Sequence, residues 1–220
     1  MKKAFYIFFL ILFSRQLLGQ LNNKTLDKHL DSLVNDFIAT LKQKNVDAFC
    51  IYRSYSPGSR QIISHNPIDS CFYNQTFVSI YIFWISGKQT LITKKDHCFN
   101  YSEVKIDDDS FWTFYLSNLS TIKQEKIKSP ECKTIKNGKT SIVTVTIDHS
   151  NRQNVDFILG NDTTAMYFDV FCFSKQVALE DKWNINYESN LNTKRKQLQL
   201  KLEKLILGIE QKQILTKTRQ

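Results

Sequence analysis

Asp96-His97-Cys98 sets an imidazole between a carboxylate and a thiol, the residue types of nucleophilic catalysis. Neighbours in sequence point apart on a strand, however, and nothing around them suggests an oxyanion hole. Asp148-His149-Ser150 holds the three residue types of a serine triad. Triad members normally arrive from separate segments that meet in space, and this tripeptide closes a strand and opens a turn toward Asn151. His65 precedes Asn66-Pro67, a loop signal, and His29 has Asp31 nearby without the H-E-x-x-H spacing of a zinc site. Asp107-Asp108-Asp109 offers hard oxygen ligands but lacks the glycine-punctuated spacing of an EF-hand loop, and helix capping accounts for it. There is no G-x-S-x-G, no P-loop, no G-x-G-x-x-G and no C-x-x-C. No catalytic residue, cofactor-binding residue or metal ligand is therefore assigned, and no cofactor is expected. A hydrolase using His65, His97 or His149 as base is the alternative. It requires two of them to meet a carboxylate or thiol in one cleft. A carrier of a small apolar ligand, its cavity lined by the aromatic runs, is a third reading.

The residues that suggest binding are basic. Lys194, Arg195, Lys196, Lys201 and Lys204 recur along the last apolar-periodic segment, with Lys212 beyond them. Such a face can bind nucleic acid or an anionic membrane surface. The aromatics lie in strand-like runs and not among these lysines, so the interleaving of a single-strand binder is missing.

The compartment follows from "MKKAFYIFFLILFSRQLLGQ". Two lysines precede an apolar core from Ala4 to Phe13, and Gly19 is a small residue before a cut. Ten apolar residues cover roughly 15 Å as a helix, about half the hydrocarbon thickness, so the run reads as a secretory signal peptide over 1–19 and not as an anchor. Export to a periplasmic or extracellular location argues against nucleic acid as partner. The mature chain, 20–220, then carries no transmembrane helix. Removing Lys2, Lys3 and Arg15 lowers the net charge from +9 to +6. Five cysteines (Cys50, Cys71, Cys98, Cys132 and Cys172) enter an oxidising compartment. Cys98 and Cys132, at the two ends of a predicted helical segment, are the expected bridge. Cys50 and Cys172 sit in strand-like apolar runs as buried thiols.

The elements that position these groups alternate in period. Leu26, Leu30, Leu33, Val34, Phe37, Ile38 and Leu41 mark an amphipathic N-terminal helix. "DAFCIYRSY" and "FVSIYIFWISGKQTLITKK" read as strands, the second a hairpin turning at Gly87, with Ile80 to Ile85 central and covered on both faces. Phe111, Tyr115, Leu119 and Ile122 mark a middle helix begun by Asp108, Asp109 or Ser110. Asn137-Gly138 predicts a type I′ hairpin with Val143, Val145 and Ile147 alternating against threonines. "VDFIL" and "AMYFDVFCF" are further strands, and a long helix closes the chain over Ser189–Gln213. Hairpin connections imply an antiparallel sheet packed against an N-terminal, a middle and a long C-terminal helix: an α+β fold in one domain over 20–220. The expectation is a non-enzymatic exported protein that binds a macromolecule, either an envelope component or a protein such as a toxin.

Overall fold

The structure, a computed structural model of the chain, describes residues 28–57, 61–62, 72–73, 78–178 and 182–219. The expected leader (1–19), His65 and Cys71 lie outside the described residues.

Helix α1, Lys28–Gln43, buries Leu30, Val34 and Leu41, the stripe the periodicity marks. It ends where Asn45 takes a positive φ of 58° and Val46 N donates back to Leu41 O, closing the last turn as a Schellman-type cap. The chain then enters β1, Ala48–Tyr55, in an eight-stranded antiparallel sheet. Its other long strands are β4 (Val78–Ser86), β5 (Gln89–Lys95), β10 (Arg152–Leu159) and β11 (Asp162–Asp169). The order is β11-β10-β1-β4-β5, continued by β6 (Phe99–Tyr101) and β14 (Lys217–Arg219). β7, Val104–Ile106, pairs the far end of β5 through Thr90, Leu91 and Ile92. Among the described residues the short strands β2 (Gln61–Ile62) and β3 (Phe72–Tyr73) pair with each other and not with the main sheet.

Both faces of the central strands are covered, as the run Ile80 to Ile85 implies. Phe49 and Ile51 of β1 lie opposite Trp84 and Ile82 of β4, and this face receives α1. The alternate residues Cys50, Tyr52, Tyr81, Phe83, Val155 and Phe157 form the opposite face. That face is packed by α2 (Ser110–Ser117), α3 (Leu119–Gln124) and α5 (Lys194–Gln211). Its centre is aromatic. The Tyr115 ring stacks on Phe157 at 3.8 Å, Trp112 meets Phe157 edge-on at 5.3 Å, and Phe111 lies 5.1 Å from Phe83. Truncating Phe157, wholly buried, to alanine would cost about 3–5 kcal/mol.

Gly87, at φ 61°, makes the β4–β5 turn, and Asn137 and Gly138, at φ 53° and 74°, make the type I′ connection that Asn-Gly predicts. The hairpin they join, β8 (Glu131–Lys136) and β9 (Lys139–Thr144), is a separate two-stranded sheet outside the main one, and β9 stops before Val145 and Ile147.

Several elements differ from the expected ones. The middle helix breaks at Asn118 into α2 and α3. The "AMYFDVFCF" strand ends at Asp169, whose Oδ1 accepts from Phe171 N at 2.9 Å and turns Val170–Phe173 into a 3₁₀ helix. Cys172 thus lies in that helix, half-buried, and not in a strand. The long C-terminal helix is two helices, α4 (Tyr187–Leu191) and α5, because Thr193 Oγ1 accepts from Lys196 N at 3.1 Å as the cap of a new start. Between the 3₁₀ helix and α4, the short strands β12 (Gln176–Ala178) and β13 (Lys182–Trp183) pair. Among the described residues, no helix is long and apolar enough to cross a membrane.

The Cys98–Cys132 bridge is not formed. Cys132 is a free, buried thiol packed with Phe171 and Val177, in a cluster apart from the β5–β6 turn that holds Cys98. Cys50 and Cys172 are also free. Cys98 is disulfide-bonded, so its partner lies outside the described residues.

Candidate functional site

Helix α5 sorts its side chains by angle. Leu198, Leu202, Ile206 and Ile209 face the sheet and are buried. At 3.6 residues per turn, Lys194, Lys201, Lys204, Gly208 and Lys212 fall on one flank, while Gln199, Glu203 and Glu210 fall on the other. Each flank borders a groove.

The basic flank, with β7 and the start of α2, encloses a groove of about 430 Å³. Lys105, Lys201, Lys204 and Lys212 line it, over the apolar groups of Ile106, Leu205, Ile209 and Ile214. Two acids, Asp107 and Asp108, share it, so four cations stand against two anions. Asp107 makes only a loose 3.9 Å pair with Lys105, both exposed. Asp108 is turned inward to the chain: its Oδ1 accepts from Ser110 N at 2.9 Å, which begins α2. Hydrogen bonds from Ser110 hold its carboxyl below the usual carboxylate range, helped by the charges of Lys201 and Lys204. Asp109, at the cap position, makes no side-chain capping bond. Glycine at 208 leaves the helix surface open there, with nothing within 4 Å of an added Cβ.

The five basic residues marked in the sequence divide. Lys201 and Lys204 line the groove, and Lys201 Nζ lies 5.4 Å from the Phe114 ring. Lys194 Nζ sits 5.8 Å from the same ring and donates to Gln197. Arg195 is committed inward: its Nε donates to Ile122 O at 2.7 Å and its backbone N to Glu125 Oε2 at 3.0 Å. Lys196 is buried, donating to Gln199 Oε1 at 2.8 Å with its ammonium 4.2 Å from the Phe173 ring. These two hold the helix in place. Lys105, from the short strand "VKI", completes the groove. Its single charge in three residues gave the sequence reading nothing to mark.

The opposite groove, about 520 Å³, is lined by Tyr52, Ser54, Ser79, Tyr81, Glu203 and Glu210 among others. Glu210 Oε1 accepts from Tyr81 OH at 2.8 Å and Lys94 Nζ at 2.9 Å. Burial alone would raise its pKa, but these bonds and charges outweigh it and hold the carboxyl below its ordinary value. Burial pushes the Tyr52 and Tyr81 phenols up, so both stay protonated donors. Glu210 is therefore not the raised carboxyl that a general acid uses at neutral pH.

The histidine constellations resolve into turns. Asp96, buried, accepts from Cys98 N and Phe99 N at Oδ1 and from Tyr101 OH at Oδ2, each at 2.9 Å, which makes it the clasp of the β5–β6 turn. His97 Nδ1 accepts from Val78 N at 3.4 Å. Ser150 Oγ donates to Asp169 at 2.5 Å and not to His149, whose Nδ1 stands 3.2 Å from Pro57 O. His29 lies in α1, and its side chain and His65 fall outside what is described. Burial pushes the Cys50 thiol up and takes Cys172 to about 11, so neither is an activated nucleophile. Among the described residues, no three of His, Cys, Asp and Glu converge as metal ligands.

No family model, curated protein or solved structure matches the chain.

Proposed function

We propose that this chain is an exported, non-enzymatic protein that binds an acidic macromolecule, an envelope component or a protein such as a toxin, through the groove between α5 and β7. The carrying observation is the set Lys105, Lys201, Lys204 and Lys212 around an apolar floor. The floor suits an aliphatic stem or ring, and the lysines suit carboxylates or phosphates at its margins. The charge of +6 on the mature chain, +9 less the Lys2, Lys3 and Arg15 of the leader, adds long-range attraction for such a partner.

The test is titration of envelope fractions with the wild type and the Lys201→Glu/Lys204→Glu double variant, using Lys133→Glu as a remote control. The double variant is expected to lose binding and the control to keep it. Wild-type binding should weaken as salt rises. Equal binding by the double variant overturns the groove as the interface. Export is checked separately by the mass of the mature N-terminus: an intact Met1 in the secreted protein overturns cleavage.

A further inference from the structure

All six residues of β9, Lys139–Thr144, are exposed. Among the described residues their backbone ladder is made to β8 alone, so the far edge of β9 presents N–H and C=O groups that no described strand pairs. A two-stranded ribbon is marginal in water, and three or more strands are the usual minimum for a stable sheet. This ribbon is also apolar where it should be polar. Ile135 is 77% exposed, Ile142 60% and Val143 44%. The strand, K-T-S-I-V-T, is mostly β-branched, contains no proline and carries its only charge at its first residue, so nothing in its middle blocks edge pairing.

We infer that β9 pairs with β9 of a second copy, forming a continuous four-stranded antiparallel sheet β8-β9-β9-β8 about a two-fold axis. The register argues for a second copy over an unrelated strand. In the β8–β9 ladder Ile135 lies opposite Thr140 and Lys133 opposite Ile142, so Ile135, Thr140, Ile142 and Thr144 share one face. An antiparallel self-pair centred on Ile142 keeps that face common to both copies. It sets Ile142 against the partner's Ile142, Thr140 against the partner's Thr144, and Ser141 against the partner's Val143. These are matched β-branched and hydroxyl pairs of the kind that stabilise antiparallel sheets. Ile135 of each copy is diagonal to the central isoleucine pair, so four exposed isoleucines join in one stripe. The same geometry sends the two tips, each with Lys136 and Lys139, to opposite ends of the sheet, and like charges do not meet. An isologous contact of this sort closes on itself and removes both open edges. The lysine groove on α5 plays no part in it, so the two proposals stand or fall separately.

The test is sedimentation velocity of the full mature chain from low to high micromolar concentration, for wild type, Ile142→Lys and Ile142→Cys. Wild type is expected to shift from monomer to dimer. Ile142→Lys sets two ammonium groups face to face and should raise the dimer dissociation constant by at least about tenfold. It should leave the far-UV circular dichroism and the urea midpoint unchanged, because residue 142 contacts no core cluster. With a short bis-maleimide cross-linker Ile142→Cys is expected to form a covalent dimer, since facing Cβ atoms in such a pair lie roughly 5 Å apart, wider than a direct disulfide takes but within the linker's span. A wild type that stays monomeric at every concentration overturns the inference. So does a dimer that Ile142→Lys leaves intact, or an Ile142→Cys protein that fails to cross-link while dimeric.

Discussion

The ammonium of Lys196 lies 4.2 Å from the centroid of the Phe173 ring and donates to Gln199 Oε1 at 2.8 Å. A residue that reads as part of a solvated basic face is thereby an internal tie between α5 and the 3₁₀ helix. Its burial lowers the ammonium pKa, with the charge of Glu203 acting the other way. Reversal at this position would bury a carboxylate among Phe173, Gln199 and Glu203 with no cation in the gap. Lys196→Glu is expected to destabilise by about 2–4 kcal/mol in urea unfolding, and Lys201→Glu, at the groove, by no more than about 0.5 kcal/mol. Equal costs would mean that the two lysines share one environment and that the flanks of α5 are not distinct.

This pair also shows what periodicity can carry. Helical spacing marks Leu191, Leu198, Leu202, Leu205, Ile206 and Ile209 as the inward face of the last helix. Of these, Leu198, Leu202, Ile206 and Ile209 are buried and Leu191 and Leu205 half-buried. Alternation marks the two-faced strand around Phe83. Both follow from burial of apolar area, which is non-directional and repeats with the backbone. Lys196 sits at the border of the stripe, where a single residue's fate depends on which ring and amide a neighbouring element brings. Asn190 was illegible for the same reason. By type it is an ordinary polar residue, yet it is 1% exposed. The groove was half legible: Lys201 and Lys204 lie on a recognisable helix, but Lys105 joins them only through the pairing of β7 with β5. The failed Cys98–Cys132 bridge marks the same limit, because spacing along a chain does not report distance across a fold.

Asn190 yields a direct prediction. Its Oδ1 accepts from Lys128 N at 2.9 Å, and its Nδ2 donates to Lys128 O and Cys172 O at 2.9 and 3.0 Å. One side chain thus stitches the segment before β8 to the 3₁₀ helix and α4. Asn190→Ala leaves a buried N–H and two carbonyls without these partners, at a cost of about 2–4 kcal/mol in urea unfolding. Asn190→Asp is expected to be at least as damaging, since it replaces the donor with a second oxygen facing two carbonyl oxygens. A cost below that of an ordinary surface change in both variants would refute the stitch.

Glu210 gives a pH dependence whose sign is fixed. Its folded pKa is held below the ordinary 4.5, since the bonds from Lys94 and Tyr81 outweigh the upward push of burial. A depressed carboxyl stabilises above its unfolded pKa, and that stability is lost as pH falls through the folded value. The side chain is 42% exposed, so solvent screening limits the contribution to about 0.5–1 kcal/mol. The urea midpoint of Glu210→Gln should fall below that of the wild type near pH 7, and the gap should close by about pH 3. A gap that widens on acidification would reverse the sign of the argument.

The cysteines separate what the chain's compartment must supply from what its core requires. Cys50 and Cys132 are buried free thiols, and Cys172 is a half-buried one whose pKa burial takes to about 11. A thiol raised by burial is a poor nucleophile at neutral pH, so slow alkylation of Cys50 and Cys172 is expected in the native protein, and Cys132 is shielded by its position in the core. Cys98 is the described half of a disulfide, set apart from the three free thiols. Peptide mapping without reduction should therefore recover Cys98 in a linked peptide, and Cys50, Cys132 and Cys172 in unlinked ones. A bridge at Cys98 is expected to stabilise by roughly 2–4 kcal/mol, read as the drop in urea midpoint on Cys98→Ser. Recovery of a Cys98–Cys132 peptide would place β8 against the β5–β6 turn and contradict the cluster that Cys132 forms with Phe171 and Val177.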